Sequence, residues 1–175
     1  MDLKAHIRTI PDFPEPGIMF RDVTTLFAHP DAFRETIARL VELAKADGPD
    51  HIAGYDARGF VLAGAIAEKL GLGVTLLRKK GKLPGETIVE EYRLEYGTAA
   101  LEIHSDAVAP GQRVFLVDDL IATGGTGIAG VNLIRRLGAE VTGFGAVIDL
   151  PDLGGADRIR AAGVKVEALV AYEGH

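Results

Sequence analysis

The sequence predicts an α/β fold: a mostly parallel central sheet flanked by helices. Three observations predict it. Short apolar runs alternate with helical stretches from residue 51 onward, a pattern that places helices on both faces of a parallel sheet. The preceding stretch DAFRETIARLVELAKADG (31–48) sets Phe33, Ile37, Leu40, Val41 and Ala44 on one side at helical spacing. Finally, the 175 residues are 47% apolar and 25% charged, a globular balance with enough chain for one sizeable core. We therefore expect a single domain over residues 1–175.

The elements follow in order. Gly48 stops the first amphipathic helix. HIAGY (51–55) reads as a strand, GFVLAGAIAEKLG (59–71) as a helix and VTLLR (74–78) as a strand. RVFLV (113–117) is a strand, GTGIAGVNLIRRLG (125–138) a helix and EVTGFGAVIDL (140–150) a strand. DLGGADRIRAAG (152–163) reads as a helix and VKVEALVAY (164–172) as the last strand. Two segments break the alternation. Residues 9–25 carry Pro11, Pro14 and Pro16 with no clear period and read as an ordered or semi-ordered loop. Residues 79–97 (KKGKLPGETIVEEYRLEYG) read as a long charged insertion, which is either a lid over a site or a solvated hairpin. In such sheets ligands sit beyond the carboxyl ends of the strands. That rule gathers residues 56–59, 78–82 and 118–126 on one rim.

Bulk properties exclude several functions. The net charge of −6 argues against a general nucleic-acid or membrane-surface binder. A small anion held by local cations and backbone N–H groups remains compatible with it. No cysteine is present, so disulfides and thiolate metal sites are ruled out. The stretch MDLKAHIRTI lacks a long apolar core, and no apolar run approaches membrane-spanning length; a cytoplasmic protein is the expectation. His6, His29, His51, His104 and His175 show no metal-ligand spacing, and His51 and His104 read as structural or surface residues.

The most informative stretch is VFLVDDLIATGGTG (114–127). Gly125, Gly127 and Gly130 match the dinucleotide fingerprint, with Asp149 about twenty residues further on. The context is wrong, because DDLIATG separates strand from glycines and two carboxylates would repel a diphosphate. The triphosphatase phosphate loop also fails, since Leu83 follows Gly81-Lys82 where Ser or Thr is required. A ligand with a vicinal diol and a phosphate resolves the conflict. Asp118 and Asp119 accept from two ribose hydroxyls. Ala122, Thr123, Gly124, Gly125 and Thr126 can wrap a 5′-phosphate at a helix N-terminus. Taken alone, an Asp pair before a glycine turn also describes an N-cap.

At these residues the chain resembles the type I phosphoribosyltransferases, and the ending LIATGGT is closest to the adenine phosphoribosyltransferase family. FPEPGIMFRDVTTLF, AGYDARGF, RKKGKLPGET, YRLEYGTAALEIH and AVIDLPDLGG resemble that family's segments in its order, over nearly the whole chain. One departure is Ala57, where relatives often carry serine. The resemblance implies the type I phosphoribosyltransferase fold, with a small N-terminal hood (about 1–30) and a flexible catalytic loop (about 79–97). It implies transfer of 5-phosphoribosyl from its 1-pyrophosphate to N9 of adenine, giving AMP and pyrophosphate in purine salvage. Mg²⁺ carried mainly on substrate oxygens and a homodimer are further implications.

Residue roles come with the resemblance. Arg58, Arg78, Lys79 and Lys82 contact pyrophosphate, although Lys82 by itself reads as a solvated lysine. Main-chain groups of Met19 and Arg21 read the adenine edge and Leu120 packs on a ring face; composition alone makes residues 14–20 a core cover. Glu95 serves the ring proton that adenine loses, and Tyr96 accompanies it in lid closure. By its local sequence Glu95 is a solvated glutamate. Arg58, Asp118, Asp119 and Glu95 make up the expected catalytic set. Three alternatives stay open. A different purine base is one, and a dinucleotide-dependent oxidoreductase another. The third is a noncatalytic sensor of 5-phosphoribosyl 1-pyrophosphate, for which residues 1–50 leave too little room for a DNA-binding domain plus a hood.

Overall fold

The computed structural model describes residues 1–94 and 97–174. Among these, strands β1 (Arg8–Pro11) and β2 (Met19–Asp22) form an antiparallel ribbon. Next come helices α1 (Thr24–Ala28) and α2 (Pro30–Lys45), strand β3 (His51–Tyr55), helix α3 (Arg58–Leu70) and strand β4 (Gly73–Lys79). Strands β5 (Thr87–Arg93), β6 (Thr98–His104) and β7 (Arg113–Ile121) lead to helix α4 (Gly125–Arg136). Strand β8 (Glu140–Asp149), helix α5 (Gly155–Ala161) and strand β9 (Val166–Ala171) follow. The main sheet of seven described strands has the order β5-β6-β4-β3-β7-β8-β9. Strands β4, β3, β7, β8 and β9 run parallel, and β5 and β6 attach antiparallel at one edge. The α/β expectation is met.

Burial explains the central position of β7 and β8. Val114, Phe115, Leu116 and Val117 are buried without a break, as are residues 143–148 of β8. A strand covered on both faces needs apolar residues at successive positions. One apolar layer joins Leu40 of α2 and Leu62 and Ile66 of α3 to Ile52 and Val147. On the opposite face Val131 and Ile134 of α4 and Ile159 of α5 meet Leu116 and Phe144.

The structure revises the sequence reading in three places. Residues 9–25, read as an ordered loop, hold two short strands, β1 and β2, joined by a turn over 12–18 and leading into α1. The ribbon holds because Asp22 is shared: it accepts from Arg8 Nε at 3.1 Å, Thr24 N at 2.9 Å and Thr24 Oγ1 at 2.7 Å. Burial raises its pKa, but these hydrogen bonds from Thr24 and Arg8 outweigh burial and hold the Asp22 carboxyl below its ordinary value. Within residues 79–97, β5 pairs with β6 from Thr87↔His104 to Arg93↔Thr98. Most of β5 is half-buried and shows no clean alternation, so the period-2 signal that marks a one-sided strand is missing. Finally, the helix read over 152–163 is broken. A 3₁₀ turn (Pro151–Leu153) ends at Gly154 with φ +76°, and α5 starts at Gly155.

Candidate active site

The functional rim forms at the carboxyl ends of β3 and β7, where a cleft of about 650 Å³ opens. It lies under β2, which contributes Met19, Phe20 and Arg21 to the lining. Its floor holds Asp118, Asp119 and Leu120, and one wall is the turn containing Ala122, Thr123, Gly124, Gly125 and Thr126. Arg58 and Lys79 also line it. The structure thus brings most of the expected site residues to one cavity. Arg78 and Lys82 stand outside this lining. Arg78 instead donates from Nε to Asp56 Oδ2 at 3.2 Å and lies 5.7 Å from the centre of the Phe60 ring. Glu95 and Tyr96 lie outside the described residues.

Strand β7 runs to Ile121, beyond the five residues read as its core, so the two aspartates are strand residues. This removes the N-cap reading: helix α4 is capped at Gly124, with φ +90° and no side-chain hydrogen bond among the described residues. The first-turn N–H groups of α4 are therefore left for another acceptor, and the helix dipole favours an anion there. Asp118 Oδ1 instead accepts from the Asp119 N–H at 2.8 Å. Asp119 is 6% exposed and accepts from Arg58 Nε at 2.6 Å. Burial would lower the Arg58 pKa, but the Asp119 hydrogen bond and the charges of Asp119 and Asp118 raise it. Burial, followed by the adjacent charge of Asp119, pushes the Asp118 carboxyl well above the usual carboxylate range. The site holds one paired carboxylate and one that gains most from new hydroxyl donors.

Helix α3 reaches the aspartates because Gly59 permits it. A Cβ there would sit 3.0 Å from Val117 O and 3.2 Å from Asp118 Oδ1. The glycines of the dinucleotide fingerprint have a different use. They lie inside α4, where a Cβ on Gly127 would come 2.6 Å from Ile159 Cδ1 and one on Gly130 would overlap the Tyr55 ring. Tyr55, fully buried, donates from its hydroxyl to Gly127 O at 2.8 Å. Gly127 and Gly130 serve close packing of α4 against α5 and β3, whereas Gly125 belongs to the cleft-lining turn; Asp149 lies outside that lining.

Several cleft residues carry no clear signal in the sequence. Phe20 packs edge-on against Phe13 at 5.2 Å and stands 6.0 Å from the Arg58 guanidinium. Tyr92 of β5 lies against the turn of residues 122–126, 3.2 Å from where a Gly125 Cβ would be. The period of β2 could have exposed Phe20, but the three flanking prolines masked it. The Arg21 side chain turns from the cleft to donate to Thr9 Oγ1 at 2.7 Å and to stack 4.2 Å from the Tyr172 ring centre. Arg21 is part of the cleft lining, on a strand that pairs with β1 alone among the described residues.

Comparison with known proteins agrees with this geometry. The phosphoribosyl transferase domain model matches residues 22–169, so the chain belongs to that family. Adenine phosphoribosyltransferase of Maricaulis maris is 58% identical over 174 residues, covering 99% of both chains. The crystal structure of adenine phosphoribosyltransferase from Thermoanaerobacter pseudethanolicus superposes with a TM-score of 0.93 at 43% identity, covering 98% of each chain. That of Saccharomyces cerevisiae, complexed with an imino-altritol bisphosphate and adenine, gives a TM-score of 0.90 at 35% identity, covering 97% of each. Within its family the chain falls among the adenine phosphoribosyltransferases.

Proposed function

We propose that this chain transfers the 5-phosphoribosyl group of 5-phosphoribosyl 1-pyrophosphate to N9 of adenine, releasing pyrophosphate and forming AMP. The observation that carries this reading is the acidic pair of β7 sharing one cleft with the α4 turn, which no side chain among the described residues caps. Asp118 and Asp119 accept hydrogen bonds from the ribose hydroxyls. Residues 122–126 donate backbone N–H groups, with the Thr123 and Thr126 hydroxyls, to the 5′-phosphate. Arg58 and Lys79 face the pyrophosphate and neutralise charge as the anomeric bond lengthens. Arg78 acts from the end of β4 and Lys82 from the segment after it, and Asp56 holds Arg78 in place.

Adenine enters between β2 and Leu120. Strand β2, paired among the described residues with β1 alone, offers main-chain N–H and C=O groups at Met19 and Arg21, and Phe20 adds a ring face. Such a pattern selects a 6-amino over a 6-oxo purine, because a mismatch leaves buried polar groups unpaired. Glu95 takes the proton lost by the base, with Tyr96 closing the lid and excluding water; both roles rest on the family resemblance. Among the described residues no group of three or more acidic or histidine side chains is spaced to hold a metal. Mg²⁺ would be carried mainly on substrate oxygens, as is usual for this ion with phosphates. Bound there, the ion offsets the negative charge of the leaving pyrophosphate.

A homodimer is part of the proposal. Val74 and Leu76 pair in register with Ile52 and Gly54 on the face that α3 covers, yet remain 43% and 40% exposed. Val61 of α3 is 47% exposed beside them. A second copy would cover this apolar edge. Among the described residues no helix is long and apolar enough to cross a membrane, and a cytoplasmic location fits the salvage role.

Incubation with Mg²⁺, 5-phosphoribosyl 1-pyrophosphate and one base at a time tests the function. Adenine, hypoxanthine, guanine, xanthine and orotate are offered separately, and the nucleotide formed is identified. AMP from adenine alone is the expected result. Product from oxopurines alone would move the assignment to another purine, and binding without product from any base would make the chain a sensor.

A further inference from the structure

The phosphate turn is braced from behind by the segment that follows β8. Arg158 of α5 donates from one guanidinium nitrogen to Thr123 O at 2.6 Å and to Leu153 O at 2.9 Å. The Gly155 N–H donates to Ala122 O at 3.1 Å. Two consecutive carbonyls of the turn are thus drawn toward α5. Backbone meets backbone here: a Cβ on Gly124 would lie 2.8 Å from Gly155 O, and one on Gly155 would lie 2.7 Å from Gly124 N. Arg158 is not part of the cleft lining, whereas Thr123 and Gly124 are.

Planarity of the peptide gives this arrangement its consequence. In a trans peptide the C=O of one residue and the N–H of the next point in opposite directions. Holding the Ala122 and Thr123 carbonyls toward α5 turns the Thr123 and Gly124 N–H groups the other way, toward the cavity. A flip of either peptide would replace a donor with a carbonyl oxygen facing a phosphoryl group, converting attraction into repulsion. Glycine at 124, with φ +90°, offers little resistance to such a flip. The turn therefore needs an external restraint to stay a donor array before the ligand arrives, which is how preorganised sites gain strength.

We infer that Arg158 is a positioning residue for the phosphate turn: its hold on the Thr123 carbonyl keeps the backbone donors aimed at the 5′-phosphate. This rests on the reading of residues 122–126 as the phosphate seat. Arg158 stands outside the cleft lining and acts through the turn. A lysine can make one such bond with its ammonium group and keeps the charge, whereas alanine removes both.

Calorimetric titration with ribose 5-phosphate, alongside steady-state kinetics, tests this on Arg158→Ala, Arg158→Lys and Thr126→Val. Arg158→Ala weakens ribose 5-phosphate binding, and raises KM for 5-phosphoribosyl 1-pyrophosphate, by about tenfold or more, the scale of one charged hydrogen bond. Its kcat and its KM for adenine at saturating cosubstrate stay within about threefold, and Arg158→Lys recovers most of the loss. Unchanged binding in Arg158→Ala, with binding weakened in Thr126→Val, overturns the brace and leaves the seat standing. Unchanged binding in both variants overturns the seat and the brace together. An equal loss toward ribose 5-phosphate and adenine, with a lowered Tm, makes Arg158 a general structural residue and also overturns the inference.

Discussion

The Arg58 guanidinium donates to the Asp119 carboxylate at 2.6 Å, joining the first residue of α3 to the end of β7. The pair is asymmetric: the Asp119 side chain is 8% exposed and that of Arg58 is 45% exposed. The carboxylate is fixed and the cation reaches into the cleft. One contact thus links a group assigned to the ribose with a group assigned to pyrophosphate.

That linkage predicts coupled losses. Arg58→Gln strips a buried carboxylate of its partner and the leaving group of a cation, so kcat/KM falls by roughly a hundredfold. Asp119→Asn costs a similar factor. The double variant falls short of the product of the two by about tenfold or more, because both single changes break the same contact. Steady-state rates for the four proteins check this, and simple multiplicativity would separate the two roles.

Asp118 predicts a conflict between stability and activity. Its folded-state pKa is raised, mainly by burial, so the folded protein binds its proton more tightly than the unfolded chain does. The resulting stabilisation is complete below the ordinary value of 3.8. It is lost as the pH rises through the raised folded value. Asp118→Asn removes that loss. Its Tm advantage over the parent is near zero at low pH and grows as the pH rises to neutral, while ribose 5-phosphate binding weakens. Scanning calorimetry across this range decides it; a Tm deficit at neutral pH would mean the charge is well accommodated.

Gly130 predicts a packing defect with a functional echo. A methyl group there would overlap the Tyr55 ring, whose hydroxyl holds the first turn of α4 through Gly127 O. Gly130→Ala therefore destabilises by about 1–3 kcal/mol, the usual scale of overpacking. It also weakens ribose 5-phosphate binding by shifting the helix start. Denaturant melts together with ligand titration measure both effects, and an unchanged midpoint would show that Tyr55 can yield.

How much of this was legible in the sequence depends on how local each signal is. Strands β3, β7 and β8 could be read because burial on both faces writes continuous apolar runs. The β5–β6 hairpin could not, since its half-buried residues lack a period and its register is set by pairing across residues 87–104. Gly125, Gly127 and Gly130 matched a nucleotide fingerprint, yet two of them serve contacts with Ile159 and Tyr55 that no local reading contains. The acidic pair and the phosphate turn stood in one unbroken segment and were legible together. Arg158 was not, because its link to Thr123 spans 35 residues.

The most direct measurement is a crystal structure of the protein with AMP. In that complex Asp118 and Asp119 are expected to accept from the ribose 2′- and 3′-hydroxyls. The 5′-phosphate is expected within hydrogen-bonding distance of the N–H groups of residues 123–126, and the base between β2 and Leu120. A phosphate seated elsewhere, with both carboxylates turned from the sugar, would contradict it.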